Sequence, residues 1–178
     1  ALRLAEPPLS ESSSLLTAAL GLANDANPRV RFQAALTLGE SDDSRVVAAL
    51  ASIVTRDADD PWIRPAVLSS CVLRSDLLLL ALTRQANFLS KPSAAAWLED
   101  LATIVGDRNL SSEITRTLKV LAASDLTAAH RMAVLLGLGA GLQRSGGTLD
   151  SLVTQDNQAI ADLLTATLDA AAATAIDT

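Results

Sequence analysis

A chain of 178 residues, 49% of them apolar, is about one domain long and can build a real core, which excludes general disorder. Its 14 Lys and Arg against 20 Asp and Glu leave a net charge of −6, the wrong sign for a surface that tracks phosphates. A single cysteine, Cys71, and a single histidine, His130, exclude an intramolecular disulfide, a purely Cys/His zinc site and c-type haem attachment within this stretch, where no Cys-x-x-Cys-His occurs.

Ala and Leu dominate, Tyr is absent, and Phe and Trp number two each, so the composition favours helix over sheet and predicts an all-α fold. The chain opens at Ala1 with neither an initiator methionine nor a charged leader or cleavage-site pattern, and reads as a piece of something longer. Residues 1–10, with Pro7-Pro8, read as an incoming linker. Helix is expected after them, with N-cap oxygens at Ser12 to Ser14 and apolar positions Leu15, Leu16, Ala19, Leu20 and Ala23, as the second helix of a partial repeat.

Asp25 to Asn27 form a turn, and Pro28 takes the first helical position, where a missing N–H costs nothing. Val30, Ala34, Ala35 and Leu38 then line one face, and Gly39 ends the helix or admits a close crossing. After a capping turn at Ser41-Asp42-Asp43, Val46, Val47, Leu50, Ile53 and Val54 give the cleanest amphipathic helix in the chain. Its other face carries Arg45, Ala48, Ala49, Ser52 and Arg56. The run Asp57-Ala58-Asp59-Asp60 invites a calcium reading, but the alternating ligands, central Gly and distal Glu of an EF-hand loop are missing. A capping turn is expected instead.

A second copy runs from Pro61 to about Arg74, followed by a helix over 76–88 capped by Ser75. Pro28 and Pro61 stand 61 − 28 = 33 residues apart, a period typical of helical repeats that bury their apolar faces only by stacking. Aligning Val46, Val47 and Leu50 with Leu78, Leu79 and Leu82 takes a shift of 32, so the turn inside the second copy is one residue shorter. The run Leu77 to Leu82 is apolar nearly all round and is expected to be packed on both sides.

Past Lys91-Pro92 the register loosens. Ser93 should cap a helix holding Trp97, Leu98, Leu101, Ile104 and Val105 that ends at Gly106-Asp107, and Ser111 or Ser112 should cap another with Ile114, Leu118, Val120 and Leu121. Asp125 is expected to start a third, running to Gln143 or Arg144, before the breaker Ser145-Gly146-Gly147 and a last helix over 157–173. The longest apolar run, Met132 to Leu142, is too short for a membrane span of about 20 residues and reads as a buried helix. The whole is expected to be one domain, 1–178, with clearer repeats in 1–90 and divergent helical pairs in 91–178.

Few residues invite chemistry. Gly137-Leu138-Gly139-Ala140-Gly141 superficially resembles a dinucleotide-binding loop, yet it lacks a preceding strand and its third glycine comes one position early; Gly137 and Gly141 at i, i+4 instead suit close helix packing. His130 has no nucleophile or oriented carboxylate beside it in sequence, although Asp125 lies five residues upstream. Cys71 occupies the slot of Leu38 in the first copy and should be a buried apolar filler. Asn109-Leu110-Ser111 fits both a glycosylation acceptor and a helix cap, and Trp62 and Trp97 are expected in core or rim packing ahead of a role as interaction anchors. No residue is assigned a catalytic, cofactor-binding or metal-binding role, and no cofactor is expected.

The segment from Asn27 to Gly39, with Pro28, Val30-Arg31, Ala34-Ala35 and Leu38-Gly39, resembles HEAT-type repeats, whose first helix carries Pro-x-Val-Arg-x-x-Ala-Ala-x-x-Leu-Gly. The second copy departs at Pro65 and at Val72, which replaces the repeat glycine, so it is expected to be bent or distorted. The resemblance implies a right-handed α-solenoid of HEAT-like helix pairs. More narrowly, the repeat order, the Asp59-Asp60-Pro61-Trp62 run, the helix from Trp97 to Gly106 and the Gly137 to Leu142 segment resemble the HEAT region of planctomycete-type secreted dehydrogenases, which joins a β-propeller to a c-type haem domain. That implies an extracytoplasmic, dehydrogenase-associated spacer whose partners are proteins or the flanking domains of its own chain.

The expected function is thus a non-catalytic scaffold, with no nucleic acid and no membrane insertion by this segment. An acidic surface would favour basic partners. Two alternatives stand behind it: an accessory enzyme similar to the HEAT-like lyases that attach bilin chromophores, tested by pigment transfer, and a HEAT-type nucleic-acid binder, tested by a salt-dependent shift of duplex DNA.

Overall fold

The structure is a computed structural model that describes residues 12–123 and 126–148, together with 162 and 165. The described residues hold nine α-helices and no strand. They fall into two compact units, Ala1–Ser93 and Ala94–Thr178. The expected linker over 1–10 and nearly all of the expected helix over 157–173 lie outside the described residues.

In the first unit, helix α1 (Ser13–Gly21) runs into a 3₁₀ turn (Leu22–Asn24) and is followed by α2 (Pro28–Leu38), α3 (Arg45–Asp57) and α4 (Ile63–Ser70). A second 3₁₀ turn (Val72–Arg74) leads to α5 (Ser75–Thr83) and the one-turn α6 (Ala86–Leu89). Contacts run α1 to α3 to α5 on one side and α2 to α4 on the other. Successive helix pairs therefore stack in two layers, the arrangement of an α-solenoid.

Short side chains punctuate the stack. Asp25, Asn27, Asp43 and Asp60 each accept, through Oδ1, the backbone N–H two residues on, at 2.7, 3.0, 2.8 and 2.9 Å. These are Asx-turns, in which the side chain replaces a backbone partner and aims the chain into the next helix. Between the layers, Leu38, Leu50, Ile53, Ile63, Leu78, Leu79, Leu82 and Phe88 are fully buried.

The layers are also bolted by Arg31, whose side chain is 4% exposed. Its Nε and Nη2 donate to both carboxylate oxygens of Asp57 at 2.6 and 2.5 Å, while Nη1 donates to the carbonyls of Asp25 and Ala26 at 2.6 and 3.0 Å. One guanidinium thus ties α2 to the end of α3 and to the turn before α2. The hydrogen bond to Asp57 holds the Arg31 pKa above its ordinary value against the opposing pull of burial.

Three expectations for the second copy change. Ser75 does not cap: it is the first residue of α5, and its hydroxyl is buried without a hydrogen-bond partner. The expected helix over 76–88 is two helices, broken at Arg84 and Gln85, where Gln85 has extended backbone. Nor is the leucine run enclosed on all sides, since Leu78, Leu79 and Leu82 are buried while Leu77 remains 39% exposed. The anticipated distortion is present: α4 has 8 residues against 11 in α2, and Val72 starts a 3₁₀ turn where the first copy has Gly39. Gly39 itself is pressed against α4, for a Cβ there would lie 2.7 Å from the Cβ of Ser70.

In the second unit, α7 (Ala94–Arg108), α8 (Ser111–Ala123) and α9 (Ala128–Arg144) follow in order. Helix α7 stops because Asn109 adopts the left-handed region at φ 49°, a conformation asparagine tolerates. Asn109 therefore ends the helix, as the cap reading of its tripeptide expects. Thr127, not Asp125, caps α9, its Oγ1 accepting the His130 N–H at 3.3 Å. At the far end Gly146, at φ 83°, turns the chain so that the Gly147 N–H reaches the Leu142 carbonyl at 2.8 Å.

Helices α7 and α9 approach until their backbones touch. A Cβ on Gly106 would sit 2.5 Å from the Leu138 carbonyl oxygen, and one on Gly141 would sit 2.6 Å from the Asp107 nitrogen. Gly137 faces the Glu99 carbonyl in the same way. The glycine run is thus a packing surface. Trp97, Leu98 and Leu101 fill the core beside it, and a double hydrogen bond from Arg144 to Asp107, 2.8 Å each, closes the end.

Candidate interaction surface

Helical spacing sorts α3 into an inward stripe and an outward one. Val46, Leu50, Ile53 and Val54 are buried, whereas Arg45, Ala48 and Arg56 are exposed and Ser52 and Thr55 are half-buried between them. On α5 the outward positions are Leu77, Leu80 and Ala81, with exposed Arg84 just past its end. The outward residues of α1, namely Ser13, Ser14, Thr17, Ala18 and Gly21, are all small and uncharged.

Two of the small residues expected on the outward face of α3 behave differently. Ala49 is buried. The Ser52 hydroxyl donates to Asn24 Oδ1 at 2.8 Å, so it is committed to the neighbouring turn. The cause is the stack itself, in which α3 lies between α1 and α5 and only a narrow arc faces solvent.

Carboxylates are distributed unevenly around this face. The acidic residues of α3 and α5 turn inward: Asp57 pairs with Arg31, and Asp76 is 2% exposed. The remaining acidic side chains of the described part of this unit stand in the turns at the helix ends, as Asp25, Glu40, Asp42, Asp43, Asp59 and Asp60. The run 57–60 does not converge on a common point, because Asp59 accepts from Ser93 Oγ at 2.7 Å and Asp60 accepts from the Trp62 N–H at 2.9 Å. Among the described residues no three His, Cys, Asp or Glu side chains are grouped as a metal site requires.

Trp62 departs most from expectation. It is 72% exposed at the start of α4, held there because its N–H is taken by Asp60, whereas Trp97 is fully buried. Leu73 is 64% exposed in the 3₁₀ turn and Val72 beside it is 40% exposed. Leu73 was not singled out from sequence, nor was Arg84, and Val72 was noted only as the residue that replaces the repeat glycine. The 32-residue shift contained the signal, since it sets Leu77 against Arg45 and Arg84 against Ser52, all on the outward stripe.

Cys71 lies at the α4–α5 junction, fully buried, with Sγ 3.6 Å from the Leu68 carbonyl. Burial pushes its thiol up to about 12. The folded chain is expected to leave an aromatic disulfide reagent unreacted at pH 8 and to consume one equivalent once unfolded in guanidinium; rapid reaction of the folded chain would show the site to be open. His130 is half-buried and burial pushes its imidazole down, with Nδ1 enclosed and without a hydrogen-bond partner. Asp125 lies outside the described residues. No single helix among the described residues is long and apolar enough to cross a membrane; the pair Ile63–Ser70 and Val72–Thr83 reaches the length together but is bent by 66°.

Residues 4–71 match the family model described as HEAT repeats, a span that ends at Cys71. Domains of this type are generally protein-interaction scaffolds and typically non-catalytic, and no enzyme family matches. No curated protein and no solved structure matches the chain. Nothing in these comparisons concerns a dehydrogenase.

Proposed function

We propose that this chain is a non-catalytic scaffold that binds a protein, or the flanking domains of its own longer chain, on the outward face of α3 and α5. The observation that carries the reading is that face: Leu77 stands exposed on it, short Ala48 and Ala81 leave the backbone approachable, and exposed Arg56 and Arg84 frame it. A rigid stack of helices presents such a surface without needing a reactive group. The finer reading, a spacer between a propeller and a c-type haem domain in an extracytoplasmic dehydrogenase-like protein, rests on the sequence resemblance alone. An open reading frame with an upstream propeller and a downstream Cys-x-x-Cys-His would support it.

The scaffold reading itself is tested by placing a photo-cross-linking residue at Ala48 in the full-length protein. Cross-links to a defined protein or to a flanking domain are expected, well above those from the same residue placed at Gln143 on α9. Equal yields at the two positions would remove α3 and α5 as the binding face.

A further inference from the structure

Whole-chain charge would favour a basic partner, but the outward face of the first unit has the opposite local character. We infer that this face docks an acidic, partly apolar peptide segment of another protein, a conclusion that rests on the scaffold reading and adds the chemistry of the partner. The reasons are charge and shape together.

Arg45 is already neutralised, because Asp43 accepts from its Nε and Nη2 at 2.9 and 3.0 Å. Arg56 and Arg84 remain. Arg56 Nη1 makes only long contacts, 3.5 Å, to the carbonyls of Asn24 and Asp25, and Arg84 stands exposed at the end of α5. A hydrogen bond of 2.5 Å from Thr55 Oγ1 to Gln85 Oε1 joins their sequence neighbours, so Arg56 and Arg84 belong to adjoining helix ends.

The acids of the nearby 57–60 turn keep their charge but are bonded elsewhere and not to these two guanidinium groups: Asp57 is paired with Arg31, Asp59 accepts from Ser93 and lies 3.8 Å from Lys91, and Asp60 accepts the Trp62 N–H. From that end the face runs over Ala48 and Ala81 to Leu80 and exposed Leu77, and Asp42, 97% exposed, stands beyond in the α2–α3 turn. A segment lying here would set carboxylates on Arg56 and Arg84, apolar side chains on Leu77 and Leu80, and no acid near Asp42. A phosphate backbone fits poorly, because its charge repeats along the whole length and would meet the acidic turns at both ends.

The test is selection of a displayed random 16-residue peptide library on the full chain and on the charge-reversed variant R56E/R84E. Acidic peptides with leucine or isoleucine are expected, binding R56E/R84E about tenfold more weakly and W62A unchanged. Unchanged helix content by circular dichroism shows that the variant folds. Enrichment of basic or neutral peptides would overturn the acidic partner while leaving the scaffold. Acidic peptides indifferent to R56E/R84E would overturn the face, and an empty selection would overturn both readings. A duplex-DNA shift abolished by R56E/R84E would replace the peptide with nucleic acid.

Discussion

Replacing Gly137 by alanine is expected to lower the stability of the second unit by about 2 kcal/mol, and Gly141→Ala to act likewise, although alanine is the better helix former. The sign is decided by where the new carbon goes. At both positions it would enter backbone atoms of α7, the Glu99 carbonyl for Gly137 and the Asp107 nitrogen for Gly141. Backbone cannot rotate away as a side-chain tip can, so the helices must separate and lose the contacts around Trp97 and Leu98. The gain in helix propensity, about 1 kcal/mol, offsets only part of that loss.

Gly21 provides the control, because a Cβ there meets nothing within 4 Å and its backbone is helical. Gly21→Ala should therefore stabilise slightly, by up to about 1 kcal/mol. Thermal melts followed by circular dichroism at 222 nm would read the Gly137 change as a midpoint lower by about 10 °C. A Gly137→Ala midpoint that moved up together with that of Gly21→Ala would show that the two helices do not touch there.

The other large effect belongs to Arg31. Truncating it to alanine is expected to cost about 3 kcal/mol in urea unfolding, since it strands the Asp57 carboxylate, 12% exposed, and leaves the Asp25 and Ala26 carbonyls without their donor. Lysine at this position would keep the charge but not the fork, and should lose about half as much. If the cost is that of an abandoned partner, R31M/D57L should be more stable than Arg31→Met alone, because the double change removes both buried charges together. A double variant less stable than the single one would assign the cost to lost packing instead.

How much of this was legible beforehand depends on the range of the forces involved. Helix positions in the first unit followed from apolar spacing and from Pro28, Asp43 and Asp60, whose effects are local. The break at Arg84 and Gln85 was not legible, since the helix-forming run there continues through Ala86 to Leu89. Nor was the start of α9, expected at Asp125, whereas the helix begins at Ala128 with Thr127 as its cap.

The candidate face shows the same division. Its residue types and most of its positions came from periodicity, which assigns a side to each residue of an amphipathic helix. Exposure did not, because Ala49 and Ser52 lie at the edge of that side and the neighbouring α1 and its turn decide whether they are covered. Trp62 is the clearest instance: its size suggested burial, but the Asx-turn at Asp60 sets the chain direction and leaves the ring outside.

By itself the sequence determined the helical class, the 33-residue repeat, the small-residue contact at Gly137 and Gly141 and the inert slot of Cys71. All of these are written in neighbours a few residues apart or in one segment repeated. Only the tertiary structure decided which charges are spent and which remain on offer. Arg31 and Arg56 look alike in sequence, yet one is buried on Asp57 and the other faces water. The physical reason is that pairing and desolvation depend on groups brought together from distant parts of the chain, whereas periodicity depends only on the geometry of a single helix.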